Sequence, residues 1–239
     1  MAKTKVVIQG CNGKLGELVA LEVKKSKDIK VAAGIDVTGI KQLNFPVYED
    51  LHKYTGRCDA IIDVSSPEGL SSILEYAQNK GTPLVIGTTG YSQEQREKIA
   101  QASERIPILM TSNFSIGANL LFKYIAIAVK DFKELGVNIE VDITEWHHTK
   151  KKDAPSGTAK TLKEIILSLL KDKKSVPIVS IREGEIVGNH LVKITAGNET
   201  LEFLHSVRSR SAFAEGAVNA ARFIIGKNPG VYGMNNLIN

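Results

Sequence analysis

The stretch "KVVIQGCNGKLGELVALEV", residues 5–23, decides the fold of the first half of the chain. It opens with an apolar, β-branched run, passes through three glycines and ends in a pattern with helical spacing. This order predicts a buried strand, a tight turn and a crossover helix. A second apolar run at residues 30–36 ends in Asp36, and together the two runs indicate the start of a parallel sheet.

The same alternation continues as far as residue 111. Short apolar runs at 59–65, 83–87 and 107–111 are separated by "PEGLSSILEYAQNKG" and "SQEQREKIAQASER", which have helical spacing and N-terminal capping residues. Continuous apolar strands alternating with helices are typical of a parallel sheet covered on both faces. We therefore expect an α/β domain with a Rossmann-type doubly wound parallel sheet.

The pattern changes after this point. A long amphipathic helix at about 117–135 precedes a strand in which Ile139, Val141 and Ile143 alternate with polar residues. A helix at 157–171 is then followed by strand patterns with no full helix between them, which predicts a second α+β domain with an open mixed sheet. The helix at 211–225 is apolar enough to return to the first domain. The predicted domains are 1–112, completed by 211–239, for dinucleotide binding, and 113–210 for substrate binding and oligomerisation.

The composition favours a protein that binds a small anion. The 239 residues are 43% hydrophobic and 24% charged, with a net charge of +5, but the lysines are scattered except at 150–152. The sequence has no run of aromatic residues interleaved with basic residues, the pattern that would indicate nucleic-acid binding. Cys11 and Cys58 form no disulfide or zinc pattern. A strand begins at once after the N-terminus, and the apolar run 120–129 is too short to span a membrane, so we expect a cytoplasmic protein.

The glycine turn after the first strand is a candidate phosphate cradle. Gly10, Gly13 and Gly16 give the spacing GxxGxxG, with Asn12 in place of the usual middle glycine. Backbone N–H groups at such a turn and at the following helix N-terminus bind pyrophosphate, and Asp36 stands where a carboxylate would bind the adenosine ribose. Val37 supplies no cation for a 2′-phosphate, which favours NADH, whereas Lys41 keeps NADPH open.

Two later strand ends extend this candidate site. The segments "GTTG" at 87–90 and "TSNF" at 111–114 follow apolar strands, and the carboxyl ends of parallel strands share one edge of a sheet. We therefore expect them to line the same cleft as the glycine turn. The expected cofactor contacts are Gly10, Cys11, Asn12, Gly13, Lys14, Leu15, Asp36, Gly87, Thr88, Thr89, Thr111, Ser112, Asn113 and Phe114.

A second candidate site lies in "EWHHTKKKDAPSGTAKTL", residues 145–162. A strand ends at the two histidines, and Pro155 with Ser156 or Thr158 marks a well-defined helix N-terminus. Backbone N–H groups at 156–158 would bind an anion, and Gly157 leaves room for a carboxylate. Cations and proton donors would come from Lys151, His147 and His148. Asp153 could hold the turn or pair with a lysine.

Residues 145–159, "EWHHTKKKDAPSGTA", resemble the signature of the 4-hydroxy-tetrahydrodipicolinate reductase (dihydrodipicolinate reductase) family. The resemblance covers nearly the whole chain, since "DVSSPEG" at 63–69, "NFSIG" at 113–117 and "SRSAFAEGA" at 209–217 also match. It implies NAD(P)H-dependent reduction of a cyclic dicarboxylate to tetrahydrodipicolinate in the diaminopimelate route to lysine. It also implies a homotetramer formed through the sheet of the second domain, with no metal.

The resemblance further implies roles for single residues. His147 is similar to the family's proton donor/acceptor and Lys151 to its proton donor, while Arg210 matches a basic position near the substrate. The expected substrate contacts are His148, Ser156, Gly157, Thr158 and Arg210. Two positions depart from the family: Lys150 replaces another basic residue at little cost, and Val37 stands where NADPH-preferring members carry arginine.

Two other functions are compatible with parts of the sequence. A different dehydrogenase of the same architecture would be expected to lack the histidine, lysine and "DAPSGT" residues of 147–158. A nucleotide-sensing regulator would use the first domain without catalysis, but it would usually carry a DNA-binding or partner domain, and no such pattern is present. Substrate-dependent oxidation of NADH distinguishes the regulator from the reductase.

Overall fold

A computed structural model describes residues 3–38, 44–170 and 175–238, and the chain divides into two compact units. The first unit contains residues 1–115 and 211–239, and the second contains residues 116–210. No helix within the described ranges is long and apolar enough to cross a membrane.

The first unit is built on a seven-stranded parallel sheet. Its strands, in chain order, are β1 (Thr4–Gln9), β2 (Ile29–Ile35), β3 (Val47–Tyr48), β4 (Ala60–Asp63), β5 (Leu84–Ile86), β6 (Pro107–Met110) and, near the C-terminus, β11 (Gly230–Tyr232). They lie in the order β11-β6-β5-β4-β1-β2-β3. The chain reverses its direction of winding between β1 and β4, where open α/β sheets bind their ligands. The predicted doubly wound sheet is therefore confirmed.

The helices of this unit are α1 (Lys14–Lys25), α2 (Leu70–Lys80), α3 (Gln93–Ser103), α6 (Ser211–Ile224) and the short α7 (Met234–Leu237). The central strands read as continuous apolar runs because both faces of the sheet are covered, and Val6, Val7 and Ile8 have no exposed surface. Strands β3 and β11 were not predicted, since runs of two and three residues are too short to give a pattern.

Two glycines allow residues 113–115 to pack within the first unit. A side chain at Gly216 of α6 would place its Cβ 1.8 Å from the Phe114 carbonyl oxygen, and one at Gly87 would place it 2.2 Å from the Phe114 ring. Phe114 is buried between them. This contact explains why the first unit runs to Ser115 rather than ending at residue 112.

The second unit has a four-stranded mixed sheet and two long helices. Its elements are α4 (Ile116–Glu134), β7 (Glu140–His147), α5 (Gly157–Leu169), β8 (Ile178–Arg182), β9 (Gly188–Ala196) and β10 (Glu199–Val207). The strand order is β10-β9-β7-β8; β7 and β8 are parallel, and the other pairs are antiparallel. The predicted open mixed sheet is confirmed.

The two faces of this sheet differ in character. Strand β7 alternates so that Val141, Ile143, Glu145 and His147 lie on the buried face, where the first two join the core formed with α4 and α5. The opposite face carries apolar side chains with exposed surface, including Val179 and Leu204. A carboxylate and an imidazole therefore continue the buried row of β7 at the end of the strand.

Candidate active site

Glu145 is a fully buried carboxylate at the end of β7. Its Oε1 accepts hydrogen bonds from Arg182 Nη2 at 2.9 Å and from the Ser156 amide at 3.3 Å, and its Oε2 contacts His147 Nδ1. Burial alone would raise the pKa of Glu145, but hydrogen bonds from Arg182, Ser180 and His147 lower it to about 2. The carboxylate is therefore ionised in the folded protein at every physiological pH.

His147 lies two residues further along the same face and is also buried. Burial lowers the pKa of His147 below its usual value, although the Glu145 carboxylate acts in the opposite direction. Since Nδ1 is engaged with Glu145, the other ring nitrogen, Nε2, is the one left for proton exchange. A side chain at Gly188 would place its Cβ 3.0 Å from that nitrogen, so glycine leaves room beside it.

A row of imidazoles crosses the sheet next to this pair. His190 of β9 pairs in register with both Glu145 of β7 and His205 of β10, and its ring lies 5.3 Å from that of His147. His190 Nε2 lies 3.2 Å from the Ser156 hydroxyl. Burial lowers the pKa of His190 to about 3, so its imidazole is neutral. In the part of the chain that the structure describes, no group of His, Cys, Asp or Glu could hold a metal ion.

The N-terminus of α5 lies against the same cluster. The Ser156 hydroxyl accepts a hydrogen bond from the Ala159 amide at 3.2 Å, which caps the helix as expected. We expected the Ser156 amide to face an anion, and in the structure it donates to the Glu145 carboxylate of the protein itself; the residue is buried. Gly157 and Thr158 keep exposed surface, and a Cβ at Gly157 would meet nothing within 4 Å.

Lys151 and His148 lie in the loop between β7 and α5. The Lys151 ammonium donates to both Asp153 carboxylate oxygens, at 2.7 and 2.8 Å, and this hydrogen bond lowers the pKa of Asp153. Arg210 Nη2 lies 3.5 Å from His148 Nε2, so the structure brings together two of the expected substrate contacts. The lysine and the arginine add positive charge to this end of the second unit.

In the first unit, the glycine turn has the geometry expected of a phosphate cradle. Gly10 has a positive φ of 80°, and a Cβ on Gly16 would lie 2.1 Å from the Gly10 carbonyl oxygen, so both positions require glycine. Gly13 caps α1, whose first residues are Lys14 and Leu15. Cys11 is buried, and its amide donates to Ile35, which limits any contact with a cofactor.

Asp36 follows β2 and is bound to the glycine turn. Its Oδ2 accepts from the Asn12 amide at 3.0 Å, and its Oδ1 accepts from the Thr38 amide at 3.0 Å and from the Thr38 hydroxyl at 2.6 Å. The carboxylate thus connects the end of β2 to the glycine turn. Val37 is 83% exposed, while Lys41 lies outside the described residues.

The carboxyl ends of β4, β5 and β6 lie on the same edge of the parallel sheet. Thr88 is buried with its hydroxyl accepting from the Ser65 amide at 3.0 Å, whereas Thr89 and Ser112 are exposed. Thr111 and Asn113 form a local turn, in which the Asn113 amide donates to the Thr111 hydroxyl at 3.1 Å. Phe114 is packed against Gly87, so its side chain supports the loop.

Several polar residues of the two units escaped the sequence analysis. Asp63 at the end of β4 is buried, with burial raising its pKa and bonds from Ser65 and Tyr91 lowering it. In the second unit, the residues missed were Glu145, Arg182, Gly188, His190 and His205. An acidic residue at the end of a predicted strand is a sequence signal that could have indicated Asp63 and Glu145. The residues on β8, β9 and β10 are distant from His147 in the sequence, and no local pattern indicates that they are near it.

The comparisons with known proteins agree along the whole chain. Residues 4–114 match the family model described as "Dihydrodipicolinate reductase, N-terminus", and residues 117–238 match "Dihydrodipicolinate reductase, C-terminus". The 4-hydroxy-tetrahydrodipicolinate reductases of Caldanaerobacter subterraneus subsp. tengcongensis and Clostridium novyi are each 36% identical, with 98% of this chain and 98% of theirs covered. A dipicolinate-bound dihydrodipicolinate reductase from Paenisporosarcina sp. TG-14 shares the fold, with a TM-score of 0.85 at 23% identity over 98% of this chain and 99% of that one.

A doubly wound domain with a glycine turn, followed in one chain by an α+β domain with acid–base side chains, is the plan of an NAD(P)H-dependent oxidoreductase. The chain belongs to the 4-hydroxy-tetrahydrodipicolinate reductase family, and its activity is the reduction step of the diaminopimelate route to lysine. The predicted family and activity are confirmed. The alternatives of another dehydrogenase and of a nucleotide sensor are thereby set aside.

The buried imidazole of His190 makes stability depend on pH. Its folded pKa of about 3 lies below its ordinary 6.5, so the unfolded chain binds a proton first as the pH falls. The stabilisation is present above pH 6.5 and is lost progressively down to about pH 3. We expect His190→Gln to reduce the slope of unfolding free energy against pH by about 1.4 kcal/mol per unit in this window.

Urea unfolding at a series of pH values measures this slope. Val192→Ala, on the same strand and equally buried, is the matched control, because it lowers stability without removing a titrating group. If His190→Gln shifts the curve by a constant amount, as the control does, the neutral buried imidazole is not the cause of acid sensitivity.

Proposed function

We propose that the first unit holds NAD(P)H and that the second unit holds the dicarboxylate and supplies the proton. The glycine turn, Asp36 and the exposed Thr89 and Ser112 fit a dinucleotide along the carboxyl edge of the sheet. When bound, NAD(P)H supplies the hydride. The basic groups around residues 147–158 and Arg210 fit a substrate with two carboxylates, which accords with the dipicolinate bound to the relative.

Lys151 is the proposed proton donor. The Lys151 side chain is only 22% exposed. Its ammonium is held by Asp153, so the side chain keeps one orientation in the loop. Reduction adds negative charge to the ring, and a nearby ammonium stabilises that charge and gives up a proton to it. The bidentate contact with Asp153 is the observation that supports this role, since it fixes the donor before substrate arrives.

His147 is the proposed second acid–base group. Because Nδ1 faces Glu145, the neutral ring presents the Nε2 lone pair beside Gly188. In this state it can accept a proton or pass on one that it has received. The amides at the start of α5, next to the open space at Gly157, would bind one carboxylate, and His148 with Arg210 would bind the other.

We expect Lys151→Ala to lower kcat by about 100-fold or more, because general acid catalysis is worth this much. The affinity for NADH should not change, since the residue lies in the second unit. Steady-state assays with substrate generated in situ, together with a fluorescence titration of NADH, measure both quantities.

Lys152→Ala is the matched control for this experiment, because Lys152 is the exposed neighbour in the same loop. It should retain nearly normal turnover. Normal kcat in Lys151→Ala would remove the lysine from the mechanism, whereas equal losses in both variants would point to a general effect of positive charge.

We propose that NADH serves at least as well as NADPH. The side chain after Asp36 is the exposed Val37, which offers no cation to a 2′-phosphate. Val37→Arg should raise the ratio of kcat/KM for NADPH to that for NADH by about 10-fold, since a hydrogen bond to a charged group is worth about 1.5–3 kcal/mol. Val37→Ala is the control and should leave the ratio unchanged; an unchanged ratio in Val37→Arg would locate phosphate recognition elsewhere.

We also propose a homotetramer that assembles through the exposed face of the second unit's sheet. Across β10, β9, β7 and β8 the register aligns Leu204, Leu191, Thr144 and Val179 in one row. Leu204 is 66% exposed and Val179 54% exposed, which leaves apolar surface on the open face. An adjacent row aligns Glu202, Lys193 and Asp142, whose alternating charges would fix the register of a partner.

Leu204→Glu should reduce the mass in solution below four chains, because it would bury a charge at the interface. Leu135→Glu is the control, since Leu135 is 77% exposed and lies just beyond α4, outside the sheet. Light scattering coupled to size exclusion measures both variants. A tetramer that persists in Leu204→Glu, or that is lost equally in Leu135→Glu, would place the interface elsewhere.

A further inference from the structure

A buried charged pair lies beside the proposed acid–base groups. Glu145 has no exposed side-chain surface, and Arg182 is 19% exposed at its side chain. We propose that Glu145, held by Arg182, is a positioning residue. It determines which ring nitrogen of His147 carries the hydrogen, and it anchors the loop that contains Lys151 to the sheet. The inference rests on the proposed roles of His147 and Lys151.

The Glu145 carboxylate joins three separate segments. It accepts from His147 on its own strand, from Arg182 on β8 and from the Ser156 amide at the start of α5. A carboxylate oxygen can only accept, so each contact requires the partner to point a hydrogen at it. The imidazole orientation and the helix start are therefore set by the same group.

Arg182 extends this connection to the loop. The parallel register of β7 and β8 pairs Arg182 with His147, which brings the guanidinium to the end of β7. Its Nη2 donates to Glu145 at 2.9 Å and to the Asp153 carbonyl oxygen at 2.6 Å, and its Nη1 donates to the Ile181 carbonyl at 2.8 Å. Because Asp153 also holds the Lys151 ammonium, one guanidinium links the carboxylate to the proposed proton donor.

The tautomer of His147 follows from the charge of Glu145. An ionised carboxylate requires a hydrogen on Nδ1, which leaves Nε2 beside Gly188 to exchange the proton. A glutamine at position 145 could present its amide N–H to Nδ1, and the hydrogen of the neutral ring would then move to Nε2. The ring would remain in place but would have lost the lone pair on the exchanging nitrogen.

The charges around His147 define the expected pH effect. Glu145 favours the imidazolium, whereas Lys151 from the loop and Arg182 from β8 oppose it. Burial lowers the pKa of both His190 on β9 and His205 on β10, so these two rings are neutral. Removing the carboxylate charge leaves the opposing cations in place, and the pKa of His147 must fall further.

The test compares Glu145→Gln and Arg182→Lys with two controls. Glu164→Gln is an exposed carboxylate change on α5, and Arg96→Lys is an exposed arginine change on α3. Each variant is measured for kcat and KM against pH, for NADH affinity, for dipicolinate affinity and for thermal stability. The pH limb that belongs to His147 is the one that His147→Gln abolishes.

We expect Glu145→Gln to lower kcat by about 100-fold, because the acid–base group has the wrong tautomer. The residual pH limb should move to lower pH by about one unit, and NADH affinity should stay within about 2-fold. Arg182→Lys keeps the charge but loses the planar fork, so kcat should fall and KM should rise as the loop loosens. A purely structural role would lower thermal stability without moving the pH limb.

Several outcomes would overturn the inference. One is a folded Glu145→Gln variant whose His147 pH limb has not moved, and another is a folded Glu145→Gln variant with normal kcat. If that variant does not fold, Glu145→Asp keeps the charge, and the inference then requires reduced kcat with the limb unmoved; normal kcat there contradicts it. Failure of the proposed function is distinguishable, because full activity in His147→Gln or Lys151→Ala would refute those roles whatever Glu145→Gln does.

Discussion

The arrangement of the second unit depends on the need to solvate a buried carboxylate. Glu145 has no contact with solvent, and an ionised group in that position is stable only when hydrogen-bond donors surround it. The donors come from β7, β8 and the start of α5, so the condition that keeps the charge stable also assembles the site. The burial of Glu145 therefore requires the charged partner Arg182 where an apolar core would otherwise continue.

In the first unit, a different carboxylate also joins separate segments of the chain. Asp36 binds the Asn12 amide and so joins the end of β2 to the glycine turn that follows β1. The turn itself is compact because Gly16 of α1 lies against the Gly10 carbonyl. The Asp36 carboxylate and the close approach of Gly16 to Gly10 therefore hold the glycine turn in one conformation.

Ser156 connects the start of α5 to the buried groups of the sheet. Its hydroxyl caps α5 and contacts His190, and its amide is bound to Glu145. These contacts orient the first turn of the helix, so that Gly157 and Thr158 remain at its exposed end. The serine of this motif therefore acts as a helix cap.

The sequence by itself determined the class of each domain, the longer strands, the helix starts and the position of the glycine turn, because periodicity, glycine spacing and capping residues act over a few neighbouring residues. It also indicated His147, Lys151, His148 and Arg210, of which the last two come together in the structure. Only the tertiary structure decided which groups surround His147, since Arg182 on β8, Gly188 and His190 on β9 reach it through the strand order β10-β9-β7-β8. Strand order and register depend on contacts between distant segments, and no local pattern encodes them.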